Sequence, residues 1–335
     1  MLKIVKPLPE THWLSRLRRI LHYGDRPWQG LIIVMSALVI VLMLSIGGLL
    51  WAKSAGARSA FGWSFLTPTA NPNWDPVNDH FQAWPFLYGT LETSLFAILF
   101  ALPVGIGIAI FLAELCPAWL RAPLTWMVEL LAAIPSVVYG LWGIFVFLPQ
   151  VVAPIGVFLG DTLGQLPVLG SLFAGPIPAS GSSRLAASLI LTIMITPTIA
   201  AVTREVFLAI PNSQREAAKA LGATEWETIW QVLIPFGKSG ILGAIILGLG
   251  RALGETMAVT MVIGNSIQGG ASLLHSGYTM ASIIANEFAE SVSQLHTDAL
   301  IEIGLVLFII TLLLNILARY LVWQVARQAP QEARS

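Results

Sequence analysis

Long apolar runs separated by shorter polar stretches organise the chain. Six of them, at 31–52, 90–115, 124–148, 185–207, 241–263 and 300–322, are long enough to cross a bilayer as helices, which takes about 20 residues each. None alternates with the period of two that a membrane barrel strand needs, which leaves helices as the spanning element. The pattern predicts an all-α, polytopic membrane helix bundle with six transmembrane helices.

Hydrophobic residues make up 56% of the chain and charged residues 11%, against about 25% charged in a soluble domain. That composition excludes an ordinary soluble core. The formal net charge is zero, so the distribution of charge carries the information. Lys3, Lys6, Arg16, Arg18, Arg19 and Arg26 precede the first run. Arg204, Arg215, Lys219 and Lys238 flank or follow the fourth, and Arg319, Arg327 and Arg334 close the chain. Stretches 150–183 and 266–297 hold no Lys or Arg. Basic residues mark the cytoplasmic side, which predicts both termini and the loop after the fourth span in the cytoplasm. The organisation expected is an N-terminal tail over 1–27, a permease domain over 28–325 with a cytoplasmic coupling loop at 209–238, and a tail over 326–335.

Within the first tail, Trp13, Leu14, Leu17, Ile20 and Leu21 share a face of an expected interfacial helix over 11–21, suited to an anionic leaflet. This tail is polar and basic and does not read as a signal peptide. Residues 53–89 interleave Phe61, Trp63, Phe65, Trp74, Phe81, Trp84, Phe86 and Tyr88 with prolines. They read as an interfacial aromatic belt, with a docking surface as the alternative.

The most regular polar insertion is Glu216-Ala217-Ala218, three residues, Gly222, nine residues, then Val232-Leu233-Ile234-Pro235. Ala217, Ala218 and Leu221 form one apolar edge. Gly222 breaks the helix, and a second helix carries Trp226, Ile229, Trp230 and Leu233. A short amphipathic hairpin of this kind suits a groove on a partner protein.

Arg251 falls near the middle of the fifth run, and Glu255 is four residues on, on the same face if the helix continues. A charge at that depth costs about 3 kcal/mol on insertion scales, so it marks a pathway or a pair. The order Arg then Glu gives little local helix support. Guanidinium donors match oxyanion geometry, so Arg251 reads as a pore-facing anion contact held by Glu255; a structural ion pair is the alternative. Pro135, in Ile134-Pro-Ser136-Val-Val-Tyr139, frees a carbonyl that Ser136 or Tyr139 can serve, and Pro197 repeats the arrangement beside Thr198. Gly250 and Gly254, and Gly105 and Gly107, read as close-approach positions between helices.

Gly237-Lys-Ser239 ends like a phosphate-binding loop, but Val232 occupies the position where the motif requires glycine. ATP hydrolysis is therefore expected on another chain, and no enzyme activity on this one. The single cysteine, Cys116, and five scattered histidines suggest neither a metal site nor a catalytic pairing, and no cofactor is expected.

The Glu-Ala-Ala loop resembles the coupling loop of ABC-importer permeases. Together with Gly250-Arg-Ala-Leu-Gly-Glu-Thr-Met-Ala258, it makes residues 28–325 similar to the PstC family of phosphate permeases. The resemblance implies the type I importer (MetI-like) fold in a bacterial inner membrane. Its implied partners are a second, PstA-like permease subunit, a PstB-like ATPase dimer and a periplasmic PstS-like phosphate-binding protein. It also matches Arg251 and Glu255 to the family's intramembrane charged pair and implies ATPase coupling through Glu216, Ala217, Ala218, Gly222 and Pro235. Ser136, Tyr139 and Thr198 complete the expected substrate pathway, with a proline kink whose hydroxyls are satisfied as the alternative. A permease for sulfate or molybdate, or a non-transporting sensory or scaffold subunit, remain the alternatives.

Overall fold

A computed structural model describes residues 25–68, 74–167, 170–267 and 272–328; the expected interfacial helix at 11–21 lies outside them. The chain falls into two compact units, Met1–Ala52 and Lys53–Ser335. The first is represented by α1 (Asp25–Lys53), apolar throughout the length a membrane requires.

The second unit contains α2 (Ala55–Phe61), α3 (Trp84–Ile110), α4 (Ala118–Ala133), α5 (Ser136–Trp142), α6 (Ala153–Thr162), α7 (Gly170–Phe173), α8 (Arg184–Ala209), α9 (Asn212–Ala220), α10 (Glu225–Thr228), α11 (Ile234–Gly254), α12 (Met257–Val262), α13 (Met280–Glu287) and α14 (Gln294–Gln328). Wide π turns at Phe111–Leu115, Gly143–Val152 and Ile229–Leu233 extend or join these helices. Pro149 and Pro235 lie within or just after such turns, where a loosened ladder tolerates a residue without an amide donor.

Among the described residues, six helical stretches are long and apolar enough to span: Trp28–Lys53, Trp84–Leu115, Ser136–Gln165, Arg184–Ala209, Glu225–Gly254 and Gln294–Val325. The number agrees with the sequence pattern, but the third and fifth spans are displaced at both ends, the third running on to Gln165 rather than 148 and the fifth beginning at Glu225 rather than 241. The third span starts at Ser136 rather than at 124, because Ile134 and Pro135 turn the backbone extended and detach α4. The fifth ends at Gly254 rather than 263, because Glu255 takes φ −70°, ψ 124°.

α8 is the most buried of the spanning helices. Ile190, Leu191, Met194, Ile195 and Ile199 pack with Ala97 and Ala101 of α3, Ala244 of α11 and Val262 of α12. Two of the close approaches fall on Ile199. A Cβ built on Gly105 would stand 2.9 Å from its Cγ2, and one on Gly248 would stand 3.0 Å from its Cδ1. Gly107, Gly250 and Gly254 would meet nothing within 4 Å, so of the four positions expected from sequence only Gly105 is a close approach, and Gly248, Gly240 and Gly140 are others that the sequence reading did not name.

The aromatic segment is also corrected. Phe65, Trp74, Phe81 and Phe86 are buried with Ala57, Met280, Ile283, Leu300 and Ile303, a small core at one end of the bundle rather than a belt. Trp74 meets Phe81 and Phe86 edge-on at 4.8 and 5.0 Å, a favourable quadrupole geometry, and its Nε1 donates to Glu287 at 2.7 Å. Trp63 stays 84% exposed.

Candidate functional site

Arg251 lies in the last turn of α11, where a cation is favoured by the carbonyl end of the helix dipole. It is half-buried, and its Nη1 donates to Thr198 Oγ1 of α8 at 3.0 Å. Thr198, Gly243, Leu247, Gly250, Arg251 and Asn315 line an open cleft of about 560 Å³. Three helices, α8, α11 and α14, thus bring a hydroxyl, a guanidinium and an amide to one apolar-walled space. Asn315 went unnoticed in the sequence. A lone amide in an apolar run gives little signal until a second polar group faces the same cleft.

Glu255 does not share a helix face with Arg251. α11 has ended, and the Glu255 carboxylate instead accepts from the Ala258 amide at 3.2 Å, at the start of α12. Among the described residues no ion pair joins it to Arg251. The break gives each charge its own helix end to interact with, which a continuous helix would not.

Tyr139 lies within electrostatic reach of Arg251, but its hydroxyl is engaged elsewhere. It donates to the Leu131 carbonyl at 2.8 Å, the group that Pro135 leaves without its usual amide partner four residues on. Ser136 is half-buried at the start of α5. In α8, Pro197 interrupts nothing visible: the helix runs unbroken, and Ser188, Thr192 and Thr196 each donate a hydroxyl four residues back, at 2.8, 2.7 and 2.6 Å.

The polar loop folds as helix, glycine, helix. α9 ends at Ala220, and Gly222 adopts φ +91°, which a side chain would resist. Thr224 then opens α10 with a capping box closed by Glu227. The second helix is not separate: it runs through the wide turn into α11 past Pro235, so the loop is continuous with the helix that carries Arg251. Glu216 and Ala217 are exposed and Ala218 is half-buried. Leu221 is 91% exposed, and Trp226 and Trp230, in edge contact at 5.7 Å, are also exposed. These three apolar side chains therefore stand in the open on an otherwise charged loop.

No sequence signal points to the buried pair Arg184–Glu92, 3.1 Å apart with both side chains 4% exposed. Arg184 Nη2 also donates to the Ser272 carbonyl at 2.6 Å, and Tyr88 donates to Glu92 at 3.1 Å. These contacts tie the starts of α3 and α8 to the 272–280 segment, far along the chain. Nearby, burial first and the Arg184 charge second hold the His275 pKa below the usual histidine value.

Residues 105–327 match the family of binding-protein-dependent transport system inner membrane components. The phosphate transport system permease protein PstC of Xylella fastidiosa is 44% identical over 296 residues, covering 87% of this chain and 88% of that one. PstC of Mesorhizobium japonicum is 46% identical over 288 residues, with 86% of each chain covered. The chain belongs to the PstC family. These relatives are permease proteins of phosphate transport systems. The fold is that of the MetI-like importer permeases. A chain of the bacterial alginate ABC transporter superposes with a TM-score of 0.60 at 15% identity, over 93% of this chain and all of that one. A chain of the MetNI methionine transporter superposes at 0.51 and 18% identity, over 71% of this chain and 93% of that one. A PstC-family chain with six membrane-length helices is a multi-pass membrane protein.

Proposed function

We propose that this chain forms half of the pathway of an ATP-driven inorganic phosphate importer in the bacterial inner membrane. Its partners in this reading are a PstA-like permease, a PstB-like ATPase dimer and a PstS-like periplasmic phosphate-binding protein. The observation that carries it is Arg251: a half-buried guanidinium on a spanning helix, steadied by Thr198 and lining an open cleft with Asn315. A permanently charged group facing apolar walls is costly without a task, and its fork of donors fits phosphate oxygens. Glu255, beyond the helix break, supplies counter-charge that keeps an anion from lodging. Tyr139 acts by holding the α4–α5 break open beside the path, and Ser136 lies at that same break.

In this reading the basic bias of Arg204, Arg215, Lys219 and Lys238 puts the polar loop and both termini on the cytoplasmic side. ATPase closure presses on the surface around Glu216, Ala217, Ala218 and Gly222. Because that loop continues past Pro235 into α11, the push reaches the arginine's own helix and switches access to the cleft.

ATP-dependent uptake of labelled phosphate into vesicles holding the complete complex tests this. Arg251→Ala is expected to assemble normally and abolish uptake, and excess sulfate or molybdate is expected to leave wild-type uptake intact. Normal uptake by Arg251→Ala would remove the arginine from the pathway, and strong competition by sulfate would reassign the substrate.

A further inference from the structure

Arg215 stands immediately before Glu216 on α9, and its guanidinium gathers the elements around it. Nε and Nη2 donate to Oε1 of Glu114 at 3.1 and 3.0 Å. Nη2 also donates to the Phe207 carbonyl at 2.6 Å, and Nη1 to the Ile210 carbonyl at 2.5 Å and to Asn212 Oδ1 at 3.2 Å. Glu114 belongs to the π turn that ends the α3 span, and Phe207 to the last turn of α8, where its carbonyl also accepts the Ile210 amide at 3.2 Å. Arg215 and Glu114 are each only 12% exposed. Ala109, Ala113, Phe207, Ile210 and Leu233 pack together in the same region.

A solvated surface pair contributes little and yields easily. This pair is largely shielded, and the planar fork engages an ion partner and backbone carbonyls at once, which fixes its direction as well as its distance. Displacing α9 therefore moves the end of α3 and the end of α8 with it. α8 in turn holds Thr198, the hydroxyl that receives Arg251.

We infer that Arg215 and Glu114 are positioning residues that transmit movement of the polar loop to α3 and α8, so that ATP hydrolysis is converted into transport. The inference rests on the loop being the ATPase contact, as proposed above. A staple that only shaped the loop would predict a different outcome: its loss would weaken ATPase binding, and hydrolysis and uptake would fall in parallel.

The experiment uses the complete complex in vesicles. It records ATPase co-purification, ATP hydrolysis and phosphate uptake for wild type, Arg215→Ala, Arg215→Lys and Glu114→Gln, with Leu221→Asp as a control on the loop surface. In Arg215→Ala and Glu114→Gln the ATPase is expected to stay bound and hydrolysis to stay within about twofold, while phosphate moved per ATP drops roughly tenfold. Arg215→Lys, which keeps the charge and loses the fork, is expected to recover part of the ratio. An unchanged ratio in Arg215→Ala, or loss of the bound ATPase from that variant and from Glu114→Gln, would overturn the inference. Leu221→Asp is expected to release the ATPase. If it does not, the loop reading itself fails and the inference falls with it, a result separate from failure of the Arg215–Glu114 link.

Discussion

Tyr139 donates its hydroxyl to the Leu131 carbonyl at 2.8 Å, across the break that Pro135 makes between α4 and α5. The proline withholds the amide donor that would come four residues on, and the tyrosine hydroxyl joins the long contact from the Ile134 amide, 3.4 Å away. Tyr139→Phe removes the donor and leaves the ring, so a loss of about 1–2 kcal/mol is expected. Thermal denaturation of the purified complex reads that loss, and the KM for phosphate is expected to stay constant. A raised KM with unchanged stability would instead put the hydroxyl on the substrate.

The Arg184–Glu92 pair makes a sharper prediction, because both side chains are 4% exposed. Removing one partner strands a buried charge, at a cost of about 3–5 kcal/mol. Arg184→Leu alone is therefore expected to lower the denaturation midpoint more than Arg184→Leu combined with Glu92→Leu. A double mutant less stable than the single one would contradict this.

Glycines separate by what their missing Cβ would meet. Gly105→Ala drives a methyl into Ile199 and toward the Thr196 carbonyl, 3.3 Å away, and overpacking of this kind costs about 1–3 kcal/mol. Gly107→Ala meets open space and is expected to be neutral, or to gain up to about 1 kcal/mol from helix propensity. Parallel melting curves of the two variants check the contrast.

His275 sets a pH dependence. Burial, with the Arg184 charge second, depresses its folded pKa below the ordinary histidine value of about 6.5. The unfolded chain therefore takes up the proton first as pH falls. The stability of this region is complete above pH 6.5 and is lost progressively as pH drops below it. His275→Gln is expected to flatten that slope in melting curves recorded between pH 5 and 8 (a span of about three units around the free histidine value).

Hydropathy alone makes the six spans countable, because a bilayer demands long apolar runs and little else in the chain supplies them. The same averaging hid the helix ends. Hydropathy runs smoothly across Pro135 and across Glu255, so residues 124–133 merged with the third span and 255–263 with the fifth. In the folded chain, backbone geometry at those two positions decides. The polar loop was legible down to its glycine, since the Gly222 break is a local device; the Thr224–Glu227 capping box, equally local, was not read. Arg184–Glu92 and Arg215–Glu114 were not legible. Each pair joins residues far apart in sequence, and no periodicity connects them. The aromatic segment was misread for a related reason: composition marks Trp74, Phe81 and Phe86 as amphipathic or apolar, but only the fold decides whether they face lipid headgroups or one another.

Ile199 is shared property. Gly105 of α3 and Gly248 of α11 both press on this one side chain of α8, so its shape cannot be adjusted to suit one neighbour without disturbing the other. Position 199 is therefore a poor place for gradual change, and a lineage that altered it would have to accept compensating substitutions on two helices together.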